Sequence, residues 1–374
     1  MKLPTIKNKN FKGKRVLLRV DFNVLLKNGK VGEDFRIKKT LPTIKLLQNK
    51  GAKIIILSHF GENKDSLRPV ANYLKKRLKN FRFIPTIFGK ALEKTVSQMK
   101  NGDILMLENL RINPDEEEND DDFAKKLASL GDFYINEAFS VSHRQHASIV
   151  GIPKYLPSFA GLLFEEEIEN LSRAFKPKHP FLVILGGVKF ESKLGVLERF
   201  LKIADKIFIG GALANNFFKL KGIDIDKSVY DEKVSIKKYL NNSKIVLPSD
   251  VRKEDGVILD IGPKSIKELS RLIKKAKFIL WNGPLGNFEE KKFAAGTLGI
   301  ARLIARSRAV SIVGGGETIA AATKAGAVKK FSFVSTGGGA MLQFLAKGTL
   351  PGIEALIRCK IRPRFKAPKP RGRT

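Results

Sequence analysis

The chain is poor in sulfur, in long apolar runs and in acid. Its single cysteine, Cys359, stands near the end of 374 residues. No intramolecular disulfide can form, nothing suggests a Cys-based zinc site, and a reducing compartment is expected. The longest apolar stretches, such as Lys53 to Leu57 and Phe181 to Leu185, are strand-sized and far short of the roughly 20 residues a membrane span requires. The opening MKLPTIKNKN lacks the apolar centre of a secretory signal, so the reading is a cytoplasmic protein with no membrane association. Acids number 37 against 70 Lys plus Arg, giving a formal charge of +33 and a pI near 10.1. Such a surplus favours polyanions or acidic small molecules as partners. The G-x-x-x-x-G-K-[ST] loop, the G-x-G-x-x-G fingerprint and the protein-kinase motifs are all missing, which excludes those nucleotide-binding designs by motif.

What is present is a regular alternation. A length of 374 residues suggests two domains of roughly 150 to 200 residues. The apolar runs RVLLRV, KIIIL, RFI, ILML and FYIN in the first half, and FLVIL, KIFIG, KIVLP, FILWN, AVSIV and FSFVS in the second, read as strands. Helical patterns lie between them, including IKKTLPTIKLLQNKG, closed by Gly51, then LRPVANYLKKRL and SIKELSRLIKKAK. The fold class is α/β: two doubly wound parallel-sheet domains joined by a hinge helix. The expected division is an N-terminal domain over 1–161, an inter-domain helix over 162–176, a C-terminal domain over 177–357 and a basic tail over 358–374. The tail carries eight basic residues and no acid. It reads as an unfolded, solvated segment that could bind polyanions weakly. The acidic run DEEENDDD (Asp115 to Asp122) reads as a solvated loop leading into a helix near Phe123.

In an open parallel sheet, ligands bind at the carboxyl ends of strands. Four strand ends in the second half carry glycine pairs or triplets: Gly186 with Gly187, Gly210 with Gly211, Gly314 to Gly316, and Gly337 to Gly339. Glycine leaves room for backbone N–H groups to converge on a phosphate, so this half reads as a nucleotide or polyphosphate site. The first half places Asp21, Asn23, Arg36, Ser58, His59, Arg111, His143, Arg144 and His146 at or just beyond strand ends. Guanidinium forks suit phosphate and carboxylate, and Asp21 suits a hydroxyl. The pocket therefore fits a small, multiply anionic hydroxy compound. His143 and His146 could alternatively hold a metal, and Arg36 could be only a salt-bridge partner.

Taken together, LLRVDFNV, FRIK, LSHFG, LENLR, NEAFSVSHRQHASIVG, ILGGVKFESK, WNGPLGNFE, VGGGET and STGGGA resemble the phosphoglycerate kinase family, with the likeness extending to about Leu356. The resemblance implies a hinge-bending, monomeric phosphotransferase of glycolysis and gluconeogenesis. Its N-terminal domain would hold 3-phosphoglycerate or 1,3-bisphosphoglycerate, and its C-terminal domain Mg2+ with ATP or ADP. Carried over residue by residue, Asp21 and Asn23 would contact the glycerate portion, and Arg36, His59, Arg111 and Arg144 its phosphate and carboxylate. Lys189 would meet the transferring phosphoryl group and Lys193 the nucleotide phosphates. Gly210 and Gly211 would form the adenosine turn, Asn282, Gly283 and Pro284 a nucleotide-binding turn, and Glu289 the ribose contact. Gly315, Gly316, Thr318 and Gly338 would form the phosphate cradle, with Arg36, Lys189, Gly315 and Gly338 as the catalytic set and Glu317 as the metal ligand.

Two departures from the family pattern stand out. Glu62 replaces an arginine of the anion patch, with Lys64 as a possible compensation, and Glu317 replaces the metal-binding aspartate by a side chain one methylene longer. Two alternatives remain at this stage: a nucleic-acid-binding protein on the kinase scaffold, using the basic tail, and a kinase for another acyl phosphate.

Overall fold

The computed structural model describes residues 3–61, 65–233 and 235–361, without the side chains of 360 and 361. Glu62, Lys64 and the tail from residue 362 onward lie outside the described residues. By contacts the chain divides into two compact units, Met1–Glu166 with Thr349–Thr374, and Glu167–Gly348.

The first unit contains β1 (Arg15–Arg19), a hairpin of β2 (Leu26–Lys27) and β3 (Lys30–Val31), α1 (Phe35–Asn49), β4 (Lys53–Leu57), α2 (Arg68–Lys75), β5 (Phe81–Phe83), α3 (Lys90–Ser97), β6 (Ile104–Met106), α4 (Asp121–Ser129), β7 (Phe133–Asn136), β8 (Ser158–Ala160) and the start of α5 (Leu162–Ser172). Its six-stranded sheet runs β5-β6-β4-β1-β7-β8, and every pairing in it is parallel. Strands at the middle of such a sheet are covered on both faces, so their sequences carry no alternation. Accordingly Val16, Leu17, Leu18 and Ile54 to Leu57 are all fully buried. Gly51, at φ +70°, ends α1 as expected from the sequence.

The second unit contains β9 (Phe181–Leu185), α6 (Glu191–Leu201), β10 (Lys206–Ile209), α7 (Ala212–Leu220), β11 (Ile245–Val246), a hairpin of β12 (Val251–Glu254) and β13 (Val257–Ile261), α8 (Pro263–Lys275), β14 (Phe278–Asn282), α9 (Ala295–Arg306), β15 (Val310–Gly314), α10 (Gly316–Lys324), β16 (Phe333–Ser335) and α11 (Gly339–Lys347). Its sheet order is β11-β10-β9-β14-β15-β16, again parallel throughout. Counted by appearance in that sheet this is the 3-2-1-4-5-6 order of doubly wound dinucleotide-binding folds. Its core is aromatic at the centre: Phe181 meets Phe200 and Phe278 edge-on at 5.6 and 5.2 Å between ring centroids. Both arrangements are favourable for ring quadrupoles.

The final helix, α12 (Pro351–Ile361), packs on β8 and on the turns over 147–154, and so groups with the first unit. It extends through the first residues expected to be tail. An i, i+4 ion pair of Arg358 with Glu354 at 3.6 Å and a Cys359 thiol bond to the Leu156 carbonyl at 3.2 Å hold that last turn. The helix expected over 162–176 ends at Ser172, and residues Arg173–Phe175 tighten into a 3-10 turn before two prolines flanking His179.

Candidate active site

In the first unit the sheet order reverses between β1 and β7, and the segments leaving these strands carry the site. Asp21, just past β1, is 6% exposed. Its Oδ2 accepts from Arg36 Nη1 at 3.0 Å and from the Ser140 hydroxyl, and its Oδ1 accepts from the Asn23 N–H at 3.0 Å. Burial pushes the Asp21 carboxyl up, but Arg36, His59, Ser140 and the Asn23 N–H outweigh it and hold it at about 2. Asp21 is therefore an ionised acceptor at neutral pH.

Arg36, near the start of α1, also donates from Nη1 to the Asn23 carbonyl at 3.0 Å. Its Nη2 and Nε have no hydrogen-bond partner among the described residues, leaving one edge of the fork for an anion. The Asn23 side chain accepts from the Gly61 N–H at 3.1 Å, which ties the loop after β1 to the loop after β4.

His59 lies beyond β4 and is 2% exposed. Burial and the charges of Arg19, Arg111 and Arg144 drive its pKa well below the usual imidazole value, against the opposing pull of Asp21. At neutral pH His59 is uncharged, so it joins the anion patch as a neutral group and not as a cation. Arg111, after β6, is 8% exposed. It faces Glu117 at 3.2 Å through a buried Nε that forms no well-aligned hydrogen bond, and burial and Arg144 both lower its pKa. Arg144 is exposed, with no partner for its guanidinium among the described residues. His143 and His146 are held neutral chiefly by burial, His146 at about 4. Among the described residues neither belongs to a group of three or more His, Cys, Asp or Glu able to hold a metal ion.

Several members of this site are not apparent from the sequence. Arg19 is wholly buried inside β1, and Glu116, in the run read as a solvated loop, is 0% exposed. That expectation fails for Glu116 because it accepts from both the Ser148 N–H and hydroxyl, at 2.9 and 2.5 Å, and lies 3.8 Å from Arg19. The rest of the run is more exposed; Asp120 caps α4 by accepting from the Phe123 N–H at 2.7 Å.

In the second unit the order reverses between β9 and β14. The glycines after these strands do two different jobs. A Cβ on Gly186 would lie 2.1 Å from the Pro284 carbonyl oxygen, and one on Gly283 would lie 2.1 Å from the Gly186 oxygen. These two are interlocked backbone. A Cβ on Gly210 would strike Leu285 at 2.7 Å and one on Gly211 the Gly187 nitrogen at 2.8 Å. By contrast, nothing lies within 4 Å of such an atom on Gly316 or Gly338. Open space over those two glycines, at the N-termini of α10 and α11, is where an anion could approach bare N–H groups.

Around these turns the side chains are ordered by hydrogen bonds. Thr318 Oγ1 accepts from the Gly283 N–H at 2.7 Å, and Asn282 Nδ2 donates to the Gly314 carbonyl at 2.7 Å, beside Gly315. Both therefore brace the cradle. Lys193 is 7% exposed and donates to the Lys189 carbonyl at 3.3 Å. Burial and Lys189 lower its pKa while Glu317 raises it. Lys189 itself is exposed. A Cβ on Gly187 would sit 3.6 Å from Lys193 Nζ and 3.8 Å from Glu317 Oε2, so cation and carboxylate converge on one turn. Beside it opens a cleft of about 270 Å³, walled by Gly211, Val229, Leu259, Pro284, Glu289 and Glu317 among others. Its lining mixes apolar side chains with the acids Asp260, Glu289 and Glu317.

One parallel sheet thus carries a cation cluster around Asp21 and the other bare helix N-termini beside a cleft, in a two-unit α/β chain. The sequence model of the phosphoglycerate kinase family matches residues 6–348, and the chain belongs to that family. Curated relatives named phosphoglycerate kinase include those of Leptospira biflexa, 42% identical over 96% of this chain and 99% of its own length, and Dictyoglomus turgidum, 44% identical over 94% and 97%. Among solved structures, phosphoglycerate kinase from Pyrococcus horikoshii superposes with a TM-score of 0.87 at 34% identity, covering 96% of this chain and all of that one, at 100%. The relatives' names leave the nucleic-acid-binding alternative without support. No described helix is long and apolar enough to cross a membrane.

Proposed function

We propose that the chain transfers a phosphoryl group reversibly between 1,3-bisphosphoglycerate and ADP, giving 3-phosphoglycerate and ATP, as a cytoplasmic monomer. The carrying observation is Asp21, ionised and clamped by Arg36, amid Arg111 and Arg144. An ionised acceptor among guanidinium groups suits a ligand that is anionic at both ends and carries a hydroxyl between them. In this reading Asp21 and Asn23 take the glycerate portion, and Arg36, Arg111 and Arg144, with His59 as a neutral donor, take phosphate and carboxylate.

The nucleotide belongs to the second unit. Its base enters the cleft, its ribose meets Glu289, and its phosphates meet Lys193 and the open N–H groups near Gly316 and Gly338. Gly210, Gly211, Gly283 and Pro284 shape that site by close packing, and Asn282 and Thr318 hold Gly314 and Gly283 in place. Mg2+ is usually held by one or two carboxylates completed by phosphate oxygens and water. Glu317, exposed beside Lys193, fits that use, and the ion would neutralise charge on the nucleotide phosphates. Phosphoryl transfer needs no protein nucleophile, only in-line positioning and positive charge at the equatorial oxygens. Lys189 and Arg36 supply that charge, and hinge closure is the step we infer for bringing the two ligands together and excluding water.

A coupled assay of ATP formation from ADP and 1,3-bisphosphoglycerate, with and without Mg2+, tests this. Turnover that requires the metal is expected. Greater activity with a different acyl phosphate, such as acetyl phosphate, would overturn the substrate assignment.

A further inference from the structure

Arg19 lies in the layer directly beneath the cation cluster, and its guanidinium is fully buried. Nε donates to Ser148 Oγ at 2.7 Å, Nη1 to the Val20 carbonyl at 2.5 Å, and Nη2 reaches His59 Nδ1 at 3.4 Å. A guanidinium has only donors. Nδ1 of His59 is therefore the acceptor in that contact and carries no hydrogen. In a neutral ring the hydrogen must then sit on Nε2. That atom is 3.8 Å from Asp21 Oδ1, too far for a direct hydrogen bond.

We propose that Arg19 is a positioning residue that fixes His59 as the neutral Nε2–H tautomer, so that the imidazole presents one uncharged donor to the phosphate or carboxylate of the bound ligand. This rests on the reading of the first unit as the phosphoglycerate site. Arg19 is itself held on several sides. Ser148 Oγ donates to Glu116 Oε1 at 2.5 Å, so it is an acceptor for Arg19 and the chain of bonds has one direction. The Tyr134 hydroxyl holds the Ser148 carbonyl at 2.7 Å, and Glu116 stands 3.8 Å from Arg19 Nη2. The charged groups acting on His59 from neighbouring segments are Asp21 and Arg19 from β1 and its exit, Arg111 after β6, and Arg144 after β7. Burial, helped by three cations against one acid, keeps the ring neutral.

The tautomer can be read in the free protein by two-bond proton–nitrogen NMR on histidine-labelled full-length chain. The four histidines are sorted by a His59→Gln control. The expected spectrum has His59 as Nε2–H with no titration between about pH 5.5 and 8. An Nδ1–H pattern or an imidazolium signal at neutral pH overturns the proposal. A second arm uses the pair Arg19→Met with Glu116→Gln, which removes both buried charges together and so strands neither. In that variant His59 should titrate, and 3-phosphoglycerate affinity measured by calorimetry should rise by about tenfold more than in the wild type between pH 8 and pH 6. The wild type supplies the correction for the ligand's own phosphate ionisation. A variant whose affinity profile matches the wild type overturns the coupling. Failure of the wild type to bind 3-phosphoglycerate, with the expected tautomer present, would instead count against the ligand assignment alone. If the double variant does not fold, the wild-type spectrum still decides.

Discussion

Asp21 has its charge fixed from several directions at once. Replacing it by asparagine keeps the shape but removes the partner of Arg36 at 3.0 Å, and 3-phosphoglycerate affinity should drop by about tenfold to a hundredfold in calorimetry. Its pKa is depressed to about 2 from 3.8. The stability this provides is complete above the unfolded value and is lost as pH falls through the folded one. Acid unfolding followed by circular dichroism should therefore steepen below about pH 4 in the wild type and less so in Asp21→Asn. In the second unit, Lys189→Ala should lower kcat by about a hundredfold or more while nucleotide Kd changes by less than about threefold, since an exposed lysine that acts on the moving group contributes chiefly to the transition state. Equal turnover would contradict the role given to Lys189. At this scale the sequence shows polar residues that follow strands, because a strand end exposes whatever comes next. Arg19 and Glu116 were not legible for the opposite reason. One sits in the middle of an apolar run and the other among solvated acids, and only tertiary packing selects them.

At the scale of elements, most strands were readable because a strand covered on both faces is a continuous apolar run bounded by turn residues. β8 is not legible because Ser158–Ala160 is only three residues long and one of them is polar. The two hairpins carry plain signals in the sequence. Asn28-Gly29 and Asp255-Gly256 both have positive φ at each residue, 50° and 68°, and 51° and 80°, as a two-residue turn between antiparallel strands demands. The glycine turns were recognised as special, but the sequence could not separate interlocked backbone from open cradle. Gly186→Ala or Gly283→Ala should each cost about 2–4 kcal/mol in urea unfolding, because a new methyl would overlap a backbone oxygen. Gly316→Ala, with nothing near its Cβ position, should leave stability almost unchanged. The start of α5 makes a further prediction. Glu137, 1% exposed, accepts from the Leu163 N–H at 3.1 Å and from the Thr43 hydroxyl. Burial outweighs these bonds and pushes its carboxyl up to about 8. A carboxyl raised in the folded state is protonated there while already ionised in the unfolded chain, so stability declines as pH climbs from the unfolded value toward about 8. Melting temperatures of the wild type should fall between about pH 5 and 8, and Glu137→Gln should flatten that slope.

At the scale of the whole molecule, the surplus of positive charge is not a property of the tail. Ending the chain at Ile361 would remove six basic residues and no acid from a total of +33, leaving +27. Retention on a polyanion column should therefore weaken only modestly on truncation, while kinase activity is unchanged, because every site residue precedes the cut. The overall α/β class was legible because the alternation of strand and helix persists along the whole chain. Where the chain divides was harder to see, since composition does not change between the two units and α5 runs through their boundary without a break.

That division has a consequence for biosynthesis. The second unit is one uninterrupted stretch, whereas the first is closed by α12, which is translated only after the whole of the second unit. During translation the nucleotide half can thus mature while its partner still waits for a missing wall. The nascent first half, with β8 and the turns at 147–154 lacking their cover, is the part that a chaperone would have reason to guard.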